Sequence, residues 1–356
     1  MAEQMKKKII LHCMYAEKFI APYLKFLSKH FDISDHKFLI RKDKRYLIED
    51  NKNIIFVKSG ESKISRIYKY IKEISKADKI ILHGILNKEM WLILFFQPWV
   101  LKKSYWLVWG GDLYYFVNNS KNFKSYLFEK IVIHSVIKKI GYIVTPVKGD
   151  YELSKKRYDA QGKWINCLWY LSNIYHKSSH DKITNKKNSS NINILVGNSA
   201  HETNNHAELF DTLRPFRNKN IIIYCPLSYG PHEYRSKIID LGEKNFGGKF
   251  IPIIEFMAFD EYQKFLKKID IVLYNHRRQQ ALGNTISLLY MGKKVYMRKD
   301  VTQWNLYSNL GIKIYNKDFF NLTKIPNSIA QKNIALVKKY FNEEKLIEQW
   351  KYIFSN

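Results

Sequence analysis

The feature that most constrains this chain is an alternation. Short runs rich in β-branched and aromatic residues recur along it, and each is followed by a segment of helical length. In the first half these runs are Ile9–His12, Lys37–Ile40, Ile54–Val57, Lys79–His83, Tyr105–Trp109, Tyr142–Thr145 and Trp164–Leu168. In the second they are Ile192–Val196, Ile221–Tyr224, Phe250–Ile254, Ile269–Tyr274, Lys294–Met297 and Ile312–Tyr315. Strand alternating with helix predicts an α/β fold with mostly parallel sheets. Residues 177–191, KSSHDKITNKKNSSN, hold one large apolar residue and read as a linker. The expected organisation is a Rossmann-like domain over 1–176, the linker 177–191, a second such domain over 192–327, and a helical segment over 328–356 that Trp350 and Phe354 pack down. Two such domains face a cleft, and their ligands bind beyond the carboxyl ends of the strands.

Composition narrows the classes. A hydrophobic fraction of 46% supplies two cores and excludes a disordered chain. No apolar run approaches the roughly 18 residues that cross a bilayer; Met90–Leu101 is interrupted by Gln97 and Pro98. The start, MAEQMKKKII, has no signal-peptide cleavage pattern, so the expectation is a soluble or peripheral protein. Cys13, Cys167 and Cys225 lie too far apart for a disulfide framework or zinc spacing. The net charge of +28 creates a field that attracts polyanions, although Lys on solvated faces needs no ligand.

The densest polar constellation follows a predicted strand: Tyr274-Asn275-His276-Arg277-Arg278-Gln279-Gln280-Ala281-Leu282-Gly283-Asn284. Two guanidiniums beside carboxamides, with Gly283-Asn284 opening a helix, suit a diphosphate. The amides of Asn275, Gln279, Gln280 and Asn284 can read ribose hydroxyls or a base edge, the alternative being a solvated polar loop. A second strand ends in Gly197-Asn198-Ser199, small residues that let a ligand approach the backbone or start an ordinary turn. In the first half, Trp109-Gly110-Gly111-Asp112-Leu113-Tyr114 places Asp112 at a strand end, as a general base or a helix cap. His83 and His12 occupy equivalent strand ends, each a base, a sugar partner or a buried histidine; Gly149-Asp150 is a further candidate.

No Asp-x-Asp pair, phosphate loop, G-x-G-x-x-G or G-x-S-x-G is present. In His201-Glu202-Thr203-Asn204-Asn205-His206 the histidines are five positions apart instead of four, about 140° apart on a helix, which rejects a zinc motif. The basic aromatic segments Met90–Lys103 and Phe128–Lys139 read either as amphipathic helices packing on a sheet or as surfaces for an anionic lipid interface.

Together these motifs resemble the TDP-N-acetylfucosamine:lipid II N-acetylfucosaminyltransferases, the 4-alpha-L-fucosyltransferases of glycosyltransferase family 56. The resemblance runs through His83-Gly84 with Trp91, Val108–Tyr114, Gly149-Asp150, Ile194–Ser199, His206, Phe259–Tyr262 and Arg278–Asn284. It implies a GT-B architecture, with the acceptor held by the first domain and the nucleotide sugar by the second. The implied donor is a dTDP-sugar carrying 4-acetamido-4,6-dideoxygalactose, and the implied acceptor a polyprenyl-diphosphate-linked glycan at the cytoplasmic face of the bacterial inner membrane. No metal or other cofactor is implied, nor any nucleic-acid partner. In that frame Gly197, Asn198, Ser199, Asn275, Arg277, Arg278, Gln279, Gln280, Gly283 and Asn284 hold the donor. Asp112 or His83 is catalytic, and His12, Trp109, Gly110, Gly111, Tyr114 and Asp150 hold the acceptor. Two departures stand out: the family's Gly-Ala-Asp is Gly110-Gly111-Asp112, and its Gly-Ile-Gly-Thr is Ala281-Leu282-Gly283-Asn284. The alternatives are a related O-antigen or capsule transferase using another dTDP- or UDP-sugar, and a non-catalytic basic RNA-binding module.

Overall fold

Two parallel sheets carry the molecule. The structure, a computed structural model, describes residues 8–58, 60–114, 123–177 and 191–356. The first sheet contains β1 (Ile10–Tyr15), β2 (His36–Arg41), β3 (Ile54–Val57), β4 (Lys79–His83), β5 (Ser104–Leu107), β6 (Tyr142–Val144) and β7 (Lys163–Ile165) in the order β3-β2-β1-β4-β5-β6-β7. The second contains β8 (Ile192–Val196), β9 (Ile221–Pro226), β10 (Phe250–Ile253), β11 (Ile271–Leu273), β12 (Lys294–Met297) and β13 (Tyr315–Asn316) in the order β10-β9-β8-β11-β12-β13. Each expected run therefore supplies a strand. The strands are near-continuous apolar stretches because helices cover both faces: Leu11, Leu39, Ile80, Leu82 and Trp106 in one core, Ile194, Val196, Ile223 and Leu273 in the other.

In both sheets the strand order reverses beside the first strand, between β1 and β4 and between β8 and β11. Connections leave in opposite directions there, which opens a crevice at the strands' carboxyl ends. Register places His12 beside Phe38 and Ile81, and Val196 beside Leu273.

The chain divides into two units, Met1–Ser172 with Glu343–Asn356, and Asn173–Asn342. The predicted C-terminal segment is thus two helices with different destinations. Asn327–Tyr340 belongs to the second unit, whereas Glu343–Ser355 belongs to the first, where Leu346, Trp350 and Ile353 are buried. Residues 173–176, expected in the first domain, join the second through Tyr175, whose N–H donates to Phe341 O and whose ring packs on Tyr290. Of the expected linker, 178–190 lie outside the described residues. The last strand is shifted to Tyr315–Asn316 because Asn333's carboxamide takes both the N–H and the C=O of Lys313, 2.8 Å each, in place of a sheet neighbour.

Candidate active site

In the second unit the polar residues that follow β8 and β11 meet at the switch point. β8 ends at Gly197, whose φ of +65° is left-handed; a Cβ there would lie 2.6 Å from His206 Nε2 and 3.0 Å from Asn204 Oδ1. Only glycine lets the backbone pass so close. Asn204 is fully buried and organises the turn. Its Oδ1 accepts from Asn198 N (2.9 Å) and His276 Nε2 (3.0 Å), and its Nδ2 donates to Ser199 Oγ and His201 O. Since the Asn204 amide nitrogen faces a carbonyl, its oxygen faces His276, which fixes the proton on His276 Nε2. Burial pushes the His276 pKa down to about 3, so the ring is neutral.

Gln280 ties the two loops together, donating from Nε2 to Asn198 Oδ1 at 2.8 Å and accepting at Oε1 from the Thr203 hydroxyl at 2.8 Å. Its N–H is held by Gln303 Oε1. Ala281, with φ +57°, then turns the chain into the helix Leu282–Tyr290. The first bond of this helix is Thr285 N–H to Ala281 O, so the N–H groups of Leu282, Gly283 and Asn284 carry no intrahelical bond and give the helix end its positive potential. Asn284 Nδ2 donates to Tyr262 OH. Arg278 is half-buried; it lines a small pocket with Tyr274, His276, Gln280, Met297 and Gln303, and its charge adds to burial in lowering the pKa of His201 and His276.

The ten residues expected to hold the donor thus fall at one place, but not with one orientation. Arg277 is paired with Glu208 at 2.6 Å, and Asn275, fully buried, donates to the other oxygen of Glu208 at 2.7 Å. Both are turned to Glu208 on the helix His206–Leu213. Gln279 is buried as well. Asn204, His276, Thr203, Glu208 and Gln303 were not among the expected site residues. Asn204 and Thr203 lie inside the stretch set aside as a failed zinc motif, whose polar density just after a strand was itself a signal.

In the first unit the arrangement is a buried chain of rings. Trp109 Nε1 donates to Tyr170 OH (3.2 Å), and Tyr170 OH bonds His83 Nδ1 (2.7 Å). His83 Nε2 meets His12 Nδ1 (3.1 Å), and His12 Nε2 meets His36 Nδ1 (2.9 Å). Because an indole N–H only donates, Tyr170 accepts from Trp109, which leaves its own proton available to His83 Nδ1. Burial pushes His83 down to about 3 and His36 to about 4, and lowers His12 well below its ordinary value with the neighbouring histidines adding to it. His12 and His83 are 0% exposed, enclosed by Tyr23, Tyr170 and Trp350, so neither reaches a substrate directly.

Asp112 is likewise anchored. It is 3% exposed; Oδ2 accepts from Trp106 Nε1 (2.7 Å) and Ile85 N (3.1 Å), and Oδ1 from Leu113 N (3.0 Å). Burial raises its pKa while these donors lower it. It lies within the helical residues 111–114, one place past the cap position, and ties that turn to Trp106 of β5 and to the Ile85 backbone. Tyr114 OH donates to Asp150 Oδ1 at 2.8 Å and both are buried, so this pair also supports the scaffold. Gly110 is buried with a left-handed φ of +82°, a turn position. Of the expected acceptor residues, Trp109 and Gly111 keep exposed surface. The Trp109 ring lies on Gly84 and meets Phe19 edge-on at 5.0 Å.

Two doubly wound parallel sheets with polar clusters at both switch points fit an α/β fold of the GT-B type. The chain belongs to the 4-alpha-L-fucosyltransferase family, glycosyl transferase group 56, whose model matches residues 23–355. Among solved structures it is similar to Anabaena HepE, solved in complex with UDP and glucose, with a TM-score of 0.66 and 9% identity over 98% of this chain and 99% of that one. It is also similar to WaaG, a glycosyltransferase involved in lipopolysaccharide biosynthesis, with a TM-score of 0.63 and 10% identity over 97% and 98%. A glycosyltransferase from Rickettsia africae gives 0.61 and 14% over 99% and 100%. At these identities the likeness is one of fold.

Proposed function

We propose that this glycosyltransferase moves a deoxy-amino sugar, 4-acetamido-4,6-dideoxygalactose, from a dTDP-sugar to a hydroxyl of a polyprenyl-diphosphate-linked glycan at the cytoplasmic face of the bacterial inner membrane. The observation that carries the donor half is the meeting of the Gly197–Ser199 turn with the amino end of the helix Leu282–Tyr290, bridged by the 2.8 Å bond from Gln280 to Asn198. Backbone N–H groups at that helix end, with Arg278 beside them, stabilise charge growing on a departing diphosphate. That is the work a divalent metal would otherwise do, and no Asp-x-Asp pair is there to hold one. Arg278, Gln280, Gly283, Asn284 and Gly197–Ser199 contact the donor, with Asn275, Arg277 and Gln279 behind them.

Trp109 offers the acceptor a ring face beside the first switch point. The lipid-linked acceptor is supported by the basic surface and by exposed apolar side chains of the first unit, Phe96 at 70% and Trp99 at 67%, next to Lys102 and Lys103. No helix among the described residues is long and apolar enough to cross a membrane.

Calorimetry with dTDP, UDP and GDP, with and without Mg²⁺, on wild type and Arg278→Ala tests the reading. It expects dTDP to bind without metal and the variant to bind at least tenfold more weakly. Tight UDP binding instead would move the donor to a UDP-sugar. If no nucleotide binds while RNA binds with a steep salt dependence, the transferase reading falls.

A further inference from the structure

A single displacement at the sugar needs a base for the acceptor hydroxyl, and the expected candidates Asp112, His83 and His12 are buried. Around the carboxyl ends of the first sheet, Asp43 is held by Arg45, Glu61 by Lys69 and Glu89 by Arg66 and Arg41. Asp112 and Asp150 are buried, Asp112 accepting from Trp106 and Asp150 from Tyr114. His12 and His83 are enclosed.

Glu17 differs from all of these. β1 ends at Tyr15, and Ala16-Glu17-Lys18-Phe19 form the turn into the helix Ile20–His30, with Glu17 O accepting from Ile20 N at 2.9 Å. This sets the carboxylate beside the switch point. The rings on either side of it, Tyr15 and Phe19, both pack on Trp109, with centroids at 6.5 and 5.0 Å. Glu17 is half-buried, with Arg45, Lys18, Tyr46 and Asp43 as the titratable groups around its carboxylate.

We propose that Glu17 is the general base of the reaction, taking the proton of the acceptor hydroxyl positioned on Trp109. The inference rests on the transferase reading above. In a single displacement the acceptor O–H bond breaks and its proton passes to the Glu17 carboxylate. The oxygen's electron pair forms the new bond to the sugar C1, and the C1–O bond to the diphosphate breaks with its pair leaving on the diphosphate. The surroundings suit the task. Burial raises the Glu17 pKa, and Arg45, Lys18 and the Tyr46 hydroxyl oppose that rise without cancelling it, while Asp43 adds to it. Arg45 is itself neutralised by Asp43 at 2.7 Å. Tyr170 is the remaining titratable group that feels the Glu17 charge. A base with a raised pKa works closer to neutral pH than an ordinary carboxylate.

The test compares wild type, Glu17→Gln and Glu17→Asp with dTDP-4-acetamido-4,6-dideoxygalactose as donor and a short-chain polyprenyl-diphosphate disaccharide as acceptor, alongside calorimetry with dTDP. The expected result is a kcat about 10²–10⁴-fold lower for Glu17→Gln, partial activity for Glu17→Asp, and unchanged dTDP affinity in both. The wild-type acid limb of the kcat–pH profile should be absent from the residual activity of Glu17→Gln. A Glu17→Gln variant within threefold of an active wild type overturns the assignment and leaves the transferase reading intact. A wild type that binds dTDP and transfers nothing, or binds no nucleotide, removes the reading and Glu17 with it.

Discussion

Gly84 lies directly beneath the ring of Trp109: a Cβ at position 84 would come within 2.8 Å of the indole Cδ2, and the glycine's φ is +72°. The substitution Gly84→Ala therefore meets two obstacles, a left-handed backbone that costs about 1–2 kcal/mol for an L-residue and a ring that must move. The expected outcome is a KM for the acceptor raised tenfold or more, with dTDP affinity unchanged, since the second unit is untouched. Steady-state kinetics on both substrates checks it.

Asp112→Asn is expected to act on stability first. The carboxylate accepts three N–H donors, from Trp106, Ile85 and Leu113. An amide keeps one acceptor oxygen and turns an NH₂ toward donors, a loss of about 1–3 kcal/mol. Thermal unfolding should shift down by several degrees, with turnover of the folded fraction falling less than tenfold. A fully stable variant with a hundredfold lower kcat would instead return the base role to Asp112.

Ala281 occupies a conformation that suits glycine, with φ +57° and ψ +32°. The family resemblance has Gly at this position. Replacing Ala281 by Gly removes the left-handed cost of about 1–2 kcal/mol and adds back about 0.5–1 kcal/mol of chain entropy. The net expectation is a second unit more stable by roughly 0.5–1 kcal/mol, read as a higher urea midpoint with an unchanged slope.

The sheets were legible because a strand buried on both faces must be written as an apolar run, and such runs admit little else. The sites were legible only in position. Gly197, Asn198 and Gln280 stood out as polar or small residues after strands, and the structure brings them together. Which side chain faces outward is decided by tertiary partners that no local pattern records. Arg277 turns to Glu208, 69 residues away, and Asp112 to Trp106 and Ile85. Glu17 carried no motif because a single carboxylate on a turn has none; its environment is made by Tyr46, Arg45 and Trp109's neighbours. The C-terminal helix read as one segment since helical periodicity does not say which core a helix joins.

The buried imidazoles give the protein an acid-sensitive fold. His83 and His276 are pushed to about 3, and His36 and His206 to about 4, by burial in each case. Unfolded, each has a pKa near 6.5, so between pH 6.5 and 4 the unfolded chain binds protons that the native protein does not. Stability then falls as pH drops through this window, by up to about 1.4 kcal/mol per pH unit per histidine. The slope should flatten below pH 3, where both states are protonated. The unfolding temperature at pH 7 and pH 5 measures it, and His36→Gln should lessen the difference.

The last expectation concerns how the C-terminal helix holds the ring chain. Trp169 has a φ of +66°, a conformation that costs a bulky residue on the order of 1–3 kcal/mol. Two bonds hold it there: its own Nε1 donates to Val144 O at 3.0 Å, and Trp350 Nε1 donates to its carbonyl at 2.9 Å. The backbone so fixed sets the next residue, Tyr170, whose hydroxyl bonds both Trp109 and His83. Trp350 also stacks on His83, with ring centroids at 6.2 Å. Trp350→Ala should cost about 3–5 kcal/mol through the cavity it leaves. Trp350→Phe keeps an aromatic ring and loses the donor, at about 1–3 kcal/mol for the orphaned carbonyl. If the bond serves Tyr170 and Trp109, the Phe variant raises the KM for the acceptor while leaving dTDP affinity alone, and Tyr170→Phe reproduces that change. A Phe variant that lowers the unfolding temperature with both constants unchanged would confine Trp350 to packing.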